Sequence, residues 1–284
     1  MSAAVTGERV DCPICEADDG DPWGLEYQGH RIVRCRRCGL RYLNPRRSAE
    51  ENRRVYGDHY FERHRARERD PEGSDLVRER DAASIEAILR FCPVPRPSLL
   101  DVGAGTGSFL RLAREGGRFG RLAGADLSSA NEEAFARAAI PLRVGPLEDL
   151  DLAPFDVVAA HHVLEHVLDP NRFLVEVRRL LVDEGILHLL VPNEGSLTSR
   201  SKSFWSKVGL KPRPFRHLSP GHHLTFFERG TLTRLLDKHD FRPLGIRTRA
   251  DAKRRDPWQR LVHRVFDALG WNTWLEVVAR KGTS

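Results

Sequence analysis

Residues 99–107 read Leu-Leu-Asp-Val-Gly-Ala-Gly-Thr-Gly, and Asp126 follows in Leu-Ala-Gly-Ala-Asp-Leu, 19 positions beyond the last of those glycines. No other feature constrains the fold as much. An apolar strand runs into a turn at Gly103, Gly105 and Gly107, and a helix starts behind it at Phe109-Leu110-Arg111-Leu112. A second strand, Arg121 to Ala125, ends on an acid. Glycines let the backbone approach a ligand, and a helix N-terminus offers unpaired N–H groups. The carboxylate can bind two ribose hydroxyls. The pattern points to a nucleoside-containing ligand; the bland alternative is a tight strand–helix turn that binds nothing.

The glycine spacing narrows that ligand. A dinucleotide fingerprint begun at Gly103 and Gly105 needs its third glycine where this chain has Ser108, and the third is instead Gly107. Asp101 at the mouth of the turn suits a cationic amino group better than a pyrophosphate. Asp-x-Gly-x-Gly-x-Gly resembles the first motif of class I S-adenosylmethionine-dependent methyltransferases. The segments 155–167 (Phe-Asp-Val-Val-Ala-Ala-His-His-Val-Leu-Glu-His-Val) and 173–185 are similar to that family's fourth and fifth motif regions, particularly in its small-molecule branch. The resemblance covers residues 98–248.

The resemblance implies a role for each matching residue. Asp101, Gly103 and Gly105 would border the methionine end of S-adenosylmethionine, and His161 would touch the same portion. Asp126 would hold the ribose hydroxyls, Leu127 would lie against the adenine, and Leu147 would offer its backbone N–H to the ring. The family places a polar residue after the glycine that corresponds to Gly145; this chain has Pro146, so Glu148 or Asp149 would have to substitute.

Four of the five cysteines form two pairs, Cys12-Pro-Ile-Cys15 and Cys35-Arg-Arg-Cys38, separated by 19 residues. Two Cys-x-x-Cys knuckles at this distance match a four-thiolate zinc site. Gly39 allows the left-handed turn that follows the second knuckle. A disulfide framework does not suit a reducing cytosol, and a redox dithiol would need one pair only. Four thiolates close the shell, so Cys12, Cys15, Cys35 and Cys38 are expected to hold a structural zinc ion that stabilises a short ribbon. Cys92, before Pro93, reads as a small buried hydrophobe.

Composition sets outer bounds. The chain has 284 residues, 30% of them charged, and a formal net charge of +6. No apolar run is long enough to cross a bilayer, and residues 1–9 have no apolar signal region, so a cytoplasmic location without membrane partners is expected. Residues 8–44 form the expected ribbon, with strands at Gly24–Tyr27 and His30–Val33. Residues 45–74 read as a linker, with Tyr56, Tyr60 and Phe61 as an aromatic island; a lid over the cofactor is the alternative. A helix is expected over Asp75–Phe91, stopped by Pro93, Pro95 and Pro97.

Strands and helices then alternate through residues 98–191, which requires crossovers and a parallel sheet. The expected fold is α/β: a Rossmann-like, seven-stranded, mostly parallel sheet with helices on both faces, plus the N-terminal zinc ribbon. Residues 75–284 form the main domain, with a substrate-loop insertion at 195–224. Helices at Arg229–His239 and near Trp258–Leu269 and strands at Pro243–Thr248 and Trp274–Arg280 complete it.

Catalysis on such a scaffold is positional, with a base needed for a hydroxyl acceptor. The candidates are His223, His222 and His162; His223 is favoured because the family often has one His before Leu in the loop after the fifth strand. The bland reading of His223 is a cap beside the following helix. The leading function is methyl transfer to oxygen or carbon of a small or carrier-tethered molecule in natural-product metabolism. Basic residues Lys202, Lys207, Lys211 and Arg213 could bind an anionic group on it. The Asn/Asp-Pro-Pro-Tyr/Phe signature of base-amine methylation is absent from Ala160–Val163. The alternatives are an RNA methyltransferase and a non-catalytic cofactor-binding scaffold. The former would dock RNA on ribbon arginines 31, 34, 36, 37 and 41, with Tyr27 and Tyr42 stacking bases.

Overall fold

In the computed structural model, residues 7–24, 26, 30–55, 71–211, 213–250 and 265–283 are described. Two sheets organise them. The smaller joins β1 (Gly20–Pro22), β2 (Ile32–Cys35) and β3 (Arg41–Leu43) to a short strand from far along the chain. Helices α1 (Ala49–Val55) and α2 (Pro71–Phe91) lead to the larger sheet.

That sheet opens with β4 (Leu99–Val102), helix α3 (Ser108–Glu115) and β5 (Leu122–Asp126). Helix α4 (Glu132–Arg137), β6 (Leu142–Val144) and β7 (Phe155–His161) follow. Helix α5 (Pro170–Arg179) starts sharply: Pro170 sits at its first turn and the Asp169 carboxylate accepts the amides of Asn171 and Arg172. The chain continues with β8 (Leu181–Pro192), α6 (Leu197–Lys207), β9 (Thr225–Phe226) and α7 (Arg229–Lys238). Strands β10 (Phe241–Arg249) and β11 (Trp274–Lys281) end it.

The seven strands run in the order β10-β11-β8-β7-β4-β5-β6, and β11 alone is antiparallel to the rest. The central strand β7 is buried on both faces, with Val157, Val158, Ala159 and Ala160 at 0% exposure. The chain builds outward from β4 to β6 and then returns to β7, so the order reverses between β4 and β7. Ligands of open α/β sheets bind at such a reversal, beyond the carboxyl ends of the strands.

Three expectations need correction. The first ribbon strand is Gly20–Pro22, ahead of the expected Gly24–Tyr27, because Gly20 pairs with Cys35 and Pro22 with Val33. The insertion 195–224, expected as a loop, contains helix α6, which Ser196 caps by accepting the Ser199 amide. The ribbon sheet also recruits β9: Arg41 pairs with Phe226, and Tyr42 with Thr225. A ribbon this small lacks a core of its own and is completed by the main domain. Tyr56, Tyr60 and Phe61, and most of the expected Trp258–Leu269 helix, lie outside the described residues.

Candidate methyl-transfer site and zinc site

The glycine turn behaves as its spacing suggests. Gly103, Gly105 and Gly107 all have positive φ, at 71°, 51° and 77°. A Cβ on Gly103 would stand 2.4 Å from Val163 Cγ2, so the loops after β4 and β7 press together there. A Cβ on Gly105 would enter open space, with only the Gly103 carbonyl oxygen at 3.9 Å. That opening is the place where a ligand can approach the backbone.

Asp126 ties the end of β5 to this turn, accepting the Gly105 amide at 2.8 Å and the Ser128 amide at 3.0 Å. Burial raises its pKa against these bonds. Asp101 is 4% exposed, and burial, then Asp81 and Asp126, push its pKa well above the carboxylate range. Asp81, on α2, was not visible as a site residue in the sequence; it receives Arg80 at 3.1 Å and the Ser108 hydroxyl at 3.1 Å. Three buried carboxylates at one mouth repel each other, so a cationic ligand relieves the strain. The donor set fits the amino group and sulfonium of S-adenosylmethionine.

At the expected adenine end, Leu127 is 60% exposed, which is unusual for a leucine beside a buried strand end. Residues Leu147–Asp149 form a short 3₁₀ turn. The Leu147 carbonyl accepts Arg179 at 3.3 Å, and Glu148 pairs with Arg172 at 3.3 Å, which engages one of the two acids expected to substitute for the polar residue.

His161 ends β7 and lies edge-on to Phe109, 4.6 Å between ring centres. Its neighbour His162 has φ of 57°, a conformation costly for a non-glycine residue, and packs on Trp274 at 4.5 Å. The turn continues to Glu165 and His166. It meets the loop carrying His222 and His223 through backbone bonds, since the Glu165 carbonyl accepts the Leu224 amide at 2.8 Å. The His166 and His223 rings lie 4.8 Å apart. Burial is the main cause that brings the His223 pKa down to about 4, so it is neutral at physiological pH. The three imidazoles named from sequence therefore sit on two loops that touch, beside the glycine turn.

The four cysteines converge. Their sulfurs all lie within 4.8 Å of one another, with Cys12–Cys38 and Cys15–Cys35 at 3.4 Å. A tetrahedral zinc with bonds of about 2.3 Å sets sulfur spacings of about 3.8 Å. The two knuckles repeat one turn: the Glu16 amide bonds to the Cys12 carbonyl, and the Gly39 amide to the Cys35 carbonyl. The cluster is consistent with structural zinc.

Most of the ribbon's arginines are engaged by acids, while Arg34 is exposed. Arg36 pairs with Asp21 and Asp19, Arg37 with Asp19, Arg31 with Glu26, and the buried Arg41 with Glu228. Arg46 bonds to the Leu168 carbonyl, and Arg47 to the carbonyls of Gly221 and His222. Tyr42 is 2% exposed, which corrects its expected role in base stacking, and Tyr27 lies outside the described residues. Lys207 also departs from expectation. It lies 4.3 Å over the Trp23 ring, with Arg41 4.5 Å from the same ring, so it helps hold α6 on the ribbon.

Residues 65–245 match a family model described as a methyltransferase domain. The chain belongs to the methyltransferase domain family. This S-adenosylmethionine-dependent methyltransferase domain has the Rossmann-like fold of several solved structures. One is magnesium protoporphyrin IX methyltransferase from Synechocystis with bound S-adenosylhomocysteine: TM-score 0.58, 15% identity, covering 83% of this chain and 100% of that one. Another is 1,6-didemethyltoxoflavin-N1-methyltransferase from Burkholderia thailandensis, with its substrate and S-adenosylhomocysteine: TM-score 0.56, 16% identity, covering 93% and 100%. An uncharacterized 37.1 kDa protein in a transposon of Streptomyces fradiae is 35% identical over 112 residues. That match takes in 37% of this chain and 32% of the relative, so the chain spans about a third of the curated relative's length. Among the described residues, no helix is long and apolar enough to cross a membrane.

Proposed function

We propose that this methyltransferase transfers the methyl group of S-adenosylmethionine to oxygen or carbon of a small or carrier-tethered acceptor, in natural-product metabolism and in a reducing, cytoplasmic setting. The observation that carries the reading is the meeting of the β7 turn and the His222–His223 loop beside the glycine turn, where Val163 presses on Gly103. The bound cofactor supplies an already activated methyl group. The chain's own work is to grip it, align the acceptor and exclude water.

Asp101 and Asp126 hold the amino-acid and ribose ends, with Gly103 and Gly105 giving the backbone room between them. His161 borders the methionine portion, Leu127 covers the adenine and the Leu147 amide faces its ring. A hydroxyl acceptor gives up its proton to one of His162, His222 and His223. Of the basic residues on the insertion, the exposed Lys202 and Arg213 suit an anionic group on the acceptor better than Lys207, which Trp23 engages. Arg41 is buried and Arg31, Arg36 and Arg37 are engaged by acids, which weakens the case for an RNA backbone contact, and the intact acids and glycines argue against a scaffold without chemistry.

Binding of S-adenosylmethionine by calorimetry, followed by a mass screen of candidate acceptors for the gain of one methyl group, tests the reading. A chain that binds no S-adenosylmethionine refutes it.

A further inference from the structure

The turn after β7 buries a carboxylate whose charge is favoured by the imidazoles around it. Glu165 is 1% exposed, and neither of its oxygens has a hydrogen-bond partner among the described residues. An ionised carboxylate in that state is costly unless a positive charge reaches it. Its surroundings are nitrogen. His162 Nδ1 lies 3.6 Å from Oε1, His166 Nε2 lies 3.8 Å from it, and ligand atoms of Glu165, His166 and His223 all fall within 4.8 Å of one another.

The rings are also oriented for ligation. His166 Nδ1 stands 3.1 Å from the His222 carbonyl oxygen, to which it can only donate. Nε2 lies on the side of Glu165, 3.8 Å from Oε1. Metal-bound histidines are held in this way, with the second ring nitrogen bonded to a carbonyl or carboxylate. The carbonyl is fixed in turn by Arg47, which bonds to it at 3.0 Å and also holds the Gly221 carbonyl. The amides of Leu224 and Thr225 bond to the Glu165 carbonyl at 2.8 and 3.3 Å, so the two ligand-bearing loops are locked to each other.

We propose that Glu165, His166 and His223 form a second metal site, distinct from the four-cysteine cluster, that holds one divalent first-row transition-metal cation. Bonds of about 2.0–2.2 Å place ligand atoms about 3–3.5 Å apart, so side-chain rotations of about an ångström close the shell. Two neutral imidazoles and one carboxylate leave a net positive charge and open coordination positions. Those positions take the oxygen of an acceptor hydroxyl or enol, lowering its pKa. Its proton leaves to His162, its oxygen forms the new bond to the methyl carbon, and the electron pair of the breaking C–S bond stays on sulfur. The acceptor role rests on the methyl-transfer reading; the cation site itself does not.

The test is a Co²⁺ titration of the full chain with its ribbon already loaded with zinc, read by visible absorption. The expected result is one equivalent of Co²⁺ giving weak ligand-field bands without thiolate charge transfer. His223→Ala and Glu165→Gln are each expected to weaken it at least tenfold, and His162→Ala to retain it. Circular dichroism of each variant checks that it folds, and His166→Gln serves as a third ligand variant should Glu165→Gln not. A wild-type chain that takes up no Co²⁺ beyond the ribbon overturns the proposal, as do folded ligand variants that bind like wild type. Calorimetry with S-adenosylmethionine runs in parallel: cobalt binding without cofactor binding would sink the methyl-transfer reading and leave the cation site standing.

Discussion

His161 Nε2 lies 2.7 Å from His188 Nδ1, at the floor of the crevice that opens above β7. His188 in turn places Nε2 3.3 Å from Glu276 Oε1, and Glu276 receives Arg249 at 2.6 Å and Arg247. The Glu276 carboxylate can only accept, so His188 Nε2 donates to it and leaves Nδ1 to face His161 Nε2. Burial, followed by His188 and Arg80, keeps the His161 pKa well below its ordinary value. His161 is thereby a neutral, rigid wall beside the expected methionine end, although neither His188 nor Glu276 stood out in the sequence.

Glu276 sets an acid limit on stability. Burial opposes its charge, but His188, Arg247 and Arg249 bring its pKa from 4.5 to about 2. A carboxylate with a depressed folded-state pKa contributes stability above its unfolded value and loses it as the pH falls. This contribution, about 3 kcal/mol, is complete above pH 4.5 and disappears towards pH 2. Thermal unfolding followed between pH 6 and pH 3 is expected to show this slope in wild type and a shallower one in Glu276→Gln. The variant is also expected to start less stable by about 3 kcal/mol, because it leaves the buried Arg249 without its anion.

Asp101→Asn is expected to separate stability from binding. At neutral pH the unfolded chain ionises Asp101 more readily than the native crevice does, so this acid destabilises the fold. Removing the charge should raise the unfolding midpoint by about 2–4 °C. Affinity for S-adenosylmethionine should fall by about 10- to 100-fold, the worth of a charged hydrogen bond. Differential scanning calorimetry and titration calorimetry on the same samples read both.

Gly105→Ala should act on the cofactor more than on the fold. Its Cβ would meet open space, so the cost to stability is the positive φ alone, about 1–2 kcal/mol. Gly103→Ala would instead drive a Cβ against Val163 and is expected to be the more destabilising of the two in a denaturant titration.

Stripping zinc, or replacing Cys35 by Ser, should reach the acceptor side through the shared sheet. The Leu43 amide bonds to the Leu224 carbonyl at 2.9 Å, and β3 pairs with β9 just beyond His223. Methyl transfer is expected to fall by at least about tenfold, while affinity for S-adenosylmethionine changes by less than about threefold, since the glycine turn lies on a different sheet. Equal losses in both would argue against the coupling.

Lys207→Glu is expected to loosen the seat of α6 on the ribbon by about 0.5–2 kcal/mol, the worth of a cation–π contact. The Michaelis constant of an anionic acceptor should be unchanged by it and raised by Arg213→Glu. Steady-state kinetics with thermal unfolding distinguishes the two.

Residue order was enough to set the parallel sheet, the glycine turn with its acid and the four-cysteine cluster. Each rests on local spacing: a strand–turn–helix needs its glycines at fixed offsets, and two knuckles need their cysteines three apart. Helix Ser108–Glu115 was legible to the residue because its apolar face and flanking glycines are contiguous. Tertiary structure decided the rest. Asp81 joins the buried acids from a helix that precedes the motif, and Glu276 supports His161 from the last strand, 115 positions on. Lys207 belongs to Trp23, although the sequence offered it to an anionic acceptor, and Arg47 belongs to the histidine loop. Strand β9 completes the ribbon because two edges, each too short to stand alone, share hydrogen bonds that no local pattern announces.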